Sequence, residues 1–450
     1  MFSRVLVANR GEIARRIIRA CRALGVETVA VFSDADADAP HVREADRAVR
    51  VGPPPAVRSY LHTDAILRAA CETGCDAIHP GYGFLAEQAE FARRCVAAGV
   101  VFIGPPAEVI AAMGDKVRAR RLMHQAGIPV VPGSLDYLPD DTERAVEAAA
   151  AVGFPVLIKA AGGGGGIGMV RVADLRELPA ALEVAARRAR QTFGNASLYV
   201  ERLLDRPRHV EVQLLGDRYG RLVHLYEREC SIQRRHQKIL EESPSPALDE
   251  VTRATLTAAA LRAGQAVGYH SAGTVEFLLD HDGRFYFLEM NTRIQVEHPV
   301  TEMRTGVDLV QLQIRLAAGE PLALAQEDIQ PRGHALQCRV CAEDPVTFYP
   351  SPGSITGYQE PSGPHVRVDS GVELGTSVTP YYDSLLAKVV VWAPDRPAAI
   401  ARMTQALRGY RIEGVLTNIP VHLRVLAHPE FAAGRYHTEF LASTAARSPA

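Results

Sequence analysis

The chain has 450 residues, 47% hydrophobic and 23% charged, ordinary values for a soluble globular protein of two to four domains. Fifty basic residues against 52 acidic ones leave a net charge of −2, which excludes a general pull toward nucleic acid or acidic membranes. No run of about 18 apolar residues occurs, so no membrane span is expected. The opening "MFSRVLVANR" has too short an apolar stretch for a signal peptide. Seven scattered cysteines suit a reducing cytosol, so the expected location is cytoplasmic.

In chain order, "RVLVA" reads as a strand, "GEIARRIIRACRALG" as an amphipathic helix closed by Gly25, and "ETVAVFS" as the next strand. "DAIHPGYG" and "VVFIGP" follow as short apolar runs ended by Gly or Pro. This βαβ rhythm predicts a parallel, Rossmann-like sheet. The first turn, "ANRGEI", lacks G-x-G-x-x-G and is not read as a dinucleotide site. Pro53, Pro54 and Pro55 form a rigid surface connection. A helix opens near Gly114 with "DKVRARRLMHQAG", followed by the loop "IPVVPGS". The first boundary is placed there, giving units over residues 1–114, 115–330 and 331–446. The second alternates hairpins and helices, and the third mixes short strands, Gly/Pro turns and late helices. The fold class expected is α/β with α+β. No internal repeat is visible.

"VLIKAAGGGGGIGMVRV" holds five consecutive glycines, residues 162 to 166. A G-x-G-x-x-G match exists at Gly163, Gly165 and Gly168, but "MVRV" reads as a strand where a dinucleotide site needs a helix. No Gly-Lys-Ser/Thr follows. The remaining readings are a strand–loop–strand flap that closes its backbone N–H groups over phosphates, or a flexible turn. The flap is favoured, because five ordered glycines cost roughly 0.5–1 kcal/mol each and a hairpin needs only two turn residues. Lys159, near the end of the entering strand, adds a positive charge.

"GTVEFLLDHDGRFYFLEM" reads as a hairpin with a two-residue Asp282–Gly283 turn. Counting outward places His281 opposite Arg284, Leu279 opposite Tyr286 and Glu276 opposite Glu289, with Cβ atoms roughly 4.5–5.5 Å apart. Paired carboxylates repel unless a cation or proton lies between them. With Asn291 on the same face, their hard oxygens suit Mg²⁺ or Mn²⁺ held with nucleotide phosphates. The alternative is a solvated polar face, against which Val275, Phe277, Leu278, Phe287 and Leu288 indicate a buried hairpin. If the chain stays extended, Glu289, Asn291, Arg293, Gln295 and Glu297 all point one way. Arg293 would then suit a small oxyanion and Glu297 a proton. Cys338-x-x-Cys341, without a second pair, is a poor zinc site.

"ANRGEIA", "HPGYGFLAE", "KAAGGGGGIGM", "HVEVQ", "ECSIQRRHQKILEE", "FLEMNTRIQVEHPVTE", "CRVCAEDP" and "YYDSLLAK" together resemble biotin carboxylase of the ATP-grasp superfamily, in order from about residue 2 to about 440. The resemblance implies a Rossmann-like N-terminal domain, a central ATP-grasp domain with a glycine-rich lid over about 131–203, and a mixed C-terminal domain. It implies ATP-dependent carboxylation of biotin on a biotin carboxyl carrier protein, through carboxyphosphate, as the first half-reaction of an acyl-CoA carboxylase. By the same resemblance, Lys116 and Lys159 contact ATP phosphates, with Gly165 and Gly166 in the lid. Glu201, Leu203 and Leu204 border the adenine, and His209, Gln233 and His236 lie around the nucleotide. Glu276, Glu289 and Asn291 hold Mg²⁺ or Mn²⁺. Lys238, Arg293, Gln295 and Val296 bind bicarbonate, and Glu297 deprotonates it. Arg339 stabilises the enolate-like ureido oxygen of biotin, with Tyr82 near the biotin site.

Ile167 departs from the family, which usually carries Lys or Arg there. No Ala-Met-Lys-Met biotinylation motif occurs, so the substrate is expected on a separate carrier, with carboxyltransferase subunits as further partners and a homodimer as the usual assembly. The chain could also be a piece of a longer polypeptide. The rivals are another ATP-grasp ligase and a catalytically silent nucleotide-binding subunit.

Overall fold

The computed structural model describes residues 1–138, 142–161, 169–193 and 197–445. Near the N-terminus, β1 (Arg4–Val7), β2 (Glu27–Ser33), β3 (Arg47–Gly52), β4 (Ala77–His79) and β5 (Val101–Phe102) form a sheet in the order β3-β2-β1-β4-β5. Every pairing in it is parallel, as the βαβ rhythm predicts. Val5, Leu6 and Val7 are fully buried, which explains why the central strand reads as an unbroken apolar run. The helix Gly11–Ala23 buries Ile13, Ala14, Ile17, Ile18 and Cys21 on its inner face. Gly25 ends it at φ +70°, a left-handed position that suits glycine.

The glycine-rich segment is flanked as expected. β6 (Val156–Ala160) and β7 (Val170–Val172) pair antiparallel, with Val156 opposite Val172, and β8 (Leu198–Arg202) pairs along the other edge of β6. Ala149, Val156, Ile158, Leu182 and Ala185 pack this small sheet against the helices Thr142–Ala150 and Leu178–Phe193. Gly163, Gly165, Gly166 and Ile167 lie outside the described residues.

The site rests on a long sheet built from β9 (Arg208–Gly216), β10 (Leu222–Arg234), β11 (Gln237–Ser243), β12 (Ser271–Leu279), β13 (Phe285–Asn291) and β14 (His334–Cys341). The C-terminal part adds β15 (Gly353–Ser354), β16 (Gly357–Gln359), β17 (Val366–Ser370), β18 (Ser377–Val378), β19 (Leu385–Ala393) and β20 (Arg411–Glu413). Among the described residues the long sheet has eight strands in the order β13-β12-β9-β10-β11-β14-β19-β17. It crosses residues 331 to 334 without a break, because β14 pairs with β11. No helix among the described residues is long and apolar enough to cross a membrane.

The β12–β13 hairpin differs from its sequence reading near the turn. The connection is the five-residue stretch Asp280–Arg284, in which the Asp280 carboxylate accepts the backbone N–H groups of Asp282 and Arg284, both at 2.9 Å. This aspartate-centred turn displaces the two-residue one. It slips the register, so Leu279 faces Phe285 and Leu278 faces Tyr286. A bulge at Leu288 then absorbs one extra residue and brings Glu276 opposite Glu289 as expected. Phe277, fully buried, packs edge-on against Phe285 with ring centroids 5.4 Å apart. Phe277→Ala is expected to lower unfolding stability by about 3–5 kcal/mol in a denaturant titration.

Buried histidines set the acid stability. Burial pushes His41 down to about 4 and His422 down to about 4, against weaker opposing contacts. Such groups stabilise the fold fully above their unfolded value near 6.5, and that contribution is lost as pH falls through the folded value. Glu242 follows the same sign lower down. Burial raises it, but His334 and Arg396 outweigh burial and hold it at about 2. Thermal melting is therefore expected to decline first between about pH 6.5 and 4, and again below about pH 4.3.

Candidate active site

A cavity of about 1780 Å³ opens between the three parts of the chain. That exceeds the roughly 300–1,000 Å³ of a single small-molecule site, so it has room for more than one substrate. Strand alternation supplies one wall. His209, Glu211 and Gln213 on β9 share a face, and Glu276 on β12 is the cross-strand neighbour of Glu211. Gln233 donates to His209 Nδ1 at 2.8 Å, and His209 Nε2 lies 2.8 Å from Glu276 Oε2.

Lys238 on β11 is the hub of the site. Its ammonium lies 2.6 Å from Glu211 Oε2, 2.8 Å from Glu276 Oε1 and 2.8 Å from Glu297 Oε1. Burial alone would lower its pKa, but the three carboxylates dominate and raise it well above the usual value. Glu297 is bridged in turn, since Arg339 on β14 donates to its Oε2 at 2.9 Å and to Glu241 Oε1 at 2.6 Å. Burial raises the Glu297 pKa, yet Lys238, Arg339 and Arg228 outweigh burial and hold the carboxyl well below the usual range. Glu276 is likewise depressed, with Lys238 and then His209 overcoming burial. Glu241 goes the other way, because burial exceeds what Arg339 offsets.

The five-residue alternation holds as strand only to Asn291, where β13 ends. Beyond it the backbone is irregular, yet Arg293, Gln295, Val296 and Glu297 still line the cavity while Thr292 and Ile294 turn inward. Long-range partners keep them there. Glu87 accepts from Arg293 Nε at 2.8 Å and from the Thr292 backbone at 3.0 Å. Arg228, fully buried, donates to Gln295 Oε1 at 2.8 Å and to Glu211 Oε1 at 2.6 Å. Sequence reading missed Glu87, Glu211, Arg228 and Glu241. Only Glu211 carried a local signal, the two-residue step from His209 in "HVEVQ".

On the opposite wall, Lys159 and Arg120 both pair with the buried Glu201. Burial raises the Glu201 pKa, but these two cations lower it overall. Lys116, Leu203, Leu204, Gln233, His236 and Tyr82 also line the cavity. Lys116 lies 3.4 Å from Glu289, whose side chain is one-third exposed. Asn291 donates to Glu276 at 2.8 Å and accepts from Arg293 at 3.0 Å. Two carboxylates and an amide oxygen on adjacent strands are hard donors, the type that a small divalent cation takes. Cys338 and Cys341 are both free thiols.

Lysines and paired carboxylates around one cavity, which β6 also lines through Leu157, Lys159 and Ala160, are the layout of an ATP-grasp enzyme. The family models agree along the chain. "Biotin carboxylase, N-terminal domain" matches residues 1–110, "Carbamoyl-phosphate synthase L chain, ATP binding domain" matches 115–325, and "Biotin carboxylase C-terminal domain" matches 337–443. Biotin carboxylase of Halalkalibacterium halodurans is 51% identical over 98% of this chain and 97% of its own length. A pyruvate carboxylase subunit from Methanothermobacter thermautotrophicus is 51% identical over 98% of this chain and 90% of its own. A biotin carboxylase structure from Campylobacter jejuni superposes with TM-score 0.96 at 45% identity, covering 98% of this chain and 99% of that one. The biotin carboxylase domain dimer of Hydrogenobacter thermophilus 2-oxoglutarate carboxylase, in complex with MgADP, ADP and bicarbonate, gives 0.95 at 48% identity, covering 98% of each chain. The chain belongs to the biotin carboxylase family of ATP-dependent ligases.

Proposed function

We propose that this chain carboxylates biotin on a biotin carboxyl carrier protein, using ATP and bicarbonate, as the first half-reaction of an acyl-CoA carboxylase. The observation that carries this reading is Glu297 held between Lys238 and Arg339 at 2.8 and 2.9 Å. A bicarbonate ion entering beside Arg293, Gln295 and Val296 competes for Lys238. Glu297 then loses a cation and becomes a stronger base at the moment a proton is presented to it.

Glu276, Glu289 and Asn291 would hold Mg²⁺ or Mn²⁺, which neutralises phosphate charge when bound. Lys116 and Lys159 would face the phosphates, with Gly165 and Gly166 closing over them. Glu201, Leu203, Leu204, His209, Gln233 and His236 would surround the nucleotide. A bicarbonate oxygen attacks the γ-phosphorus, the bridging P–O bond to ADP breaks, and carboxyphosphate forms. Its C–O bond breaks to CO₂ and phosphate, phosphate takes the biotin N1 proton, and N1 attacks CO₂. Arg339 faces the ureido oxygen where negative charge develops, near Tyr82.

The proposed setting is cytoplasmic, with neither membrane nor nucleic acid as a partner, and the nearly balanced charge supports this. A homodimer is the proposed assembly, and carboxyltransferase subunits complete the pathway. The equal identity of the pyruvate carboxylase relative supports a keto-acid acceptor as a second reading. Phosphate release that requires bicarbonate and rises with free biotin is the expected result. Tight Mg-ATP binding without phosphate release would overturn the reading. In the same assay, Glu87→Gln is expected to raise the KM for bicarbonate about tenfold, by releasing Arg293, with the KM for ATP unchanged.

A further inference from the structure

Lys388 is fully buried on β19, within the "YYDSLLAK" segment, and none of the roles assigned above uses it. In the sheet it is the cross-strand partner of Arg339 on one side and of Asp369 on the other. Two cations directly opposite each other are unfavourable unless each finds its own anions. Arg339 takes Glu241 and Glu297. Lys388 takes Glu12 at 2.9 Å and Asp369 at 3.9 Å.

Two of the Lys388 contacts lead to the site from opposite sides. Its ammonium donates to the Val296 carbonyl at 3.0 Å, on the peptide that enters Glu297. Its partner Glu12, at the start of the helix Gly11–Ala23, accepts from the Tyr82 hydroxyl. Resting on the function proposed above, we infer that Lys388 is a positioning residue that fixes the bicarbonate half-site and the biotin half-site relative to each other, through Val296 on one side and Glu12–Tyr82 on the other. Holding both halves with one ammonium sets the separation across which CO₂ must pass to biotin, and small misplacements of reacting groups carry large rate penalties. Burial raises the Glu12 pKa, and Lys388 is the main charge opposing that rise.

The test compares wild type with Lys388→Met and Glu12→Gln, reading phosphate released per carboxybiotin formed at saturating ATP, together with thermal melting. Loss of folded enzyme lowers both products equally and leaves their ratio unchanged. A severed tie lets carboxyphosphate break down without capture. The ratio is expected to rise about tenfold or more in both variants, with the KM for ATP within about twofold of wild type. An unchanged ratio in Lys388→Met overturns the inference, and Glu12→Gln decides in the same way if Lys388→Met does not fold. Wild-type enzyme without bicarbonate- and biotin-dependent phosphate release overturns the functional reading itself, and the inference with it.

Discussion

Lys238→Met is expected to abolish bicarbonate-dependent phosphate release and to destabilise the fold by about 3–5 kcal/mol, the usual penalty for stripping one partner from a buried ionic cluster. The size follows from the geometry. Three carboxylates, Glu211, Glu276 and Glu297, converge on one ammonium within 2.8 Å, and all three are almost wholly buried. Arg228 remains as a counter-charge for Glu211 and Arg339 for Glu297, while Glu276 keeps the amides of Asn291 and Gln295, so the excess negative charge would be relieved by a proton or by water. Denaturant unfolding at two pH values checks this. Protonation relieves the repulsion, so the penalty should shrink as pH falls toward about 4.3, where free carboxyls begin to protonate. A loss of activity with unaltered stability would show that the three acids do not depend on this lysine.

Glu297→Gln is expected to lower kcat by about 10²–10⁴-fold, the range for removal of a general base, with the affinity for ATP unaltered. The amide keeps the shape and one acceptor oxygen but cannot take a proton. Isothermal titration with Mg-ATP and single-turnover phosphate release separate binding from chemistry. A variant that keeps wild-type turnover removes the role proposed for this carboxylate.

Much of this site was legible because strand periodicity writes a face into the sequence. The Rossmann-like sheet, the strands on either side of the glycine run and the Glu276–Glu289 pairing all follow from alternation and turn residues. The hairpin pairing was reached through a turn the molecule does not use. Asp280 binds the loop backbone and shifts the register, and the bulge at Leu288 shifts it back. Two opposite local irregularities cancel at the carboxylates, and neither has a signature in the side-chain pattern. The residues that hold the catalytic groups in place were less legible. Glu87 reaches Arg293 across 206 positions, Arg228 reaches Gln295 across 67, and Lys388 reaches Val296 across 92. Charged residues with such partners look, in sequence, like any solvated charge.

The unbroken passage of the long sheet through residues 331 to 334 bears on how the molecule can be dissected. Ala335, Leu336, Gln337 and Cys338 on β14 supply the hydrogen-bonded neighbours of Ser243, Glu242, Glu241 and Leu240 on β11. A chain shortened to end before His334 would leave that ladder bare, presenting raw amides and carbonyls beside apolar Leu240 to any passing strand. Such a fragment is expected to aggregate edge to edge, so the nucleotide-handling half of this enzyme cannot be studied as an isolated soluble piece.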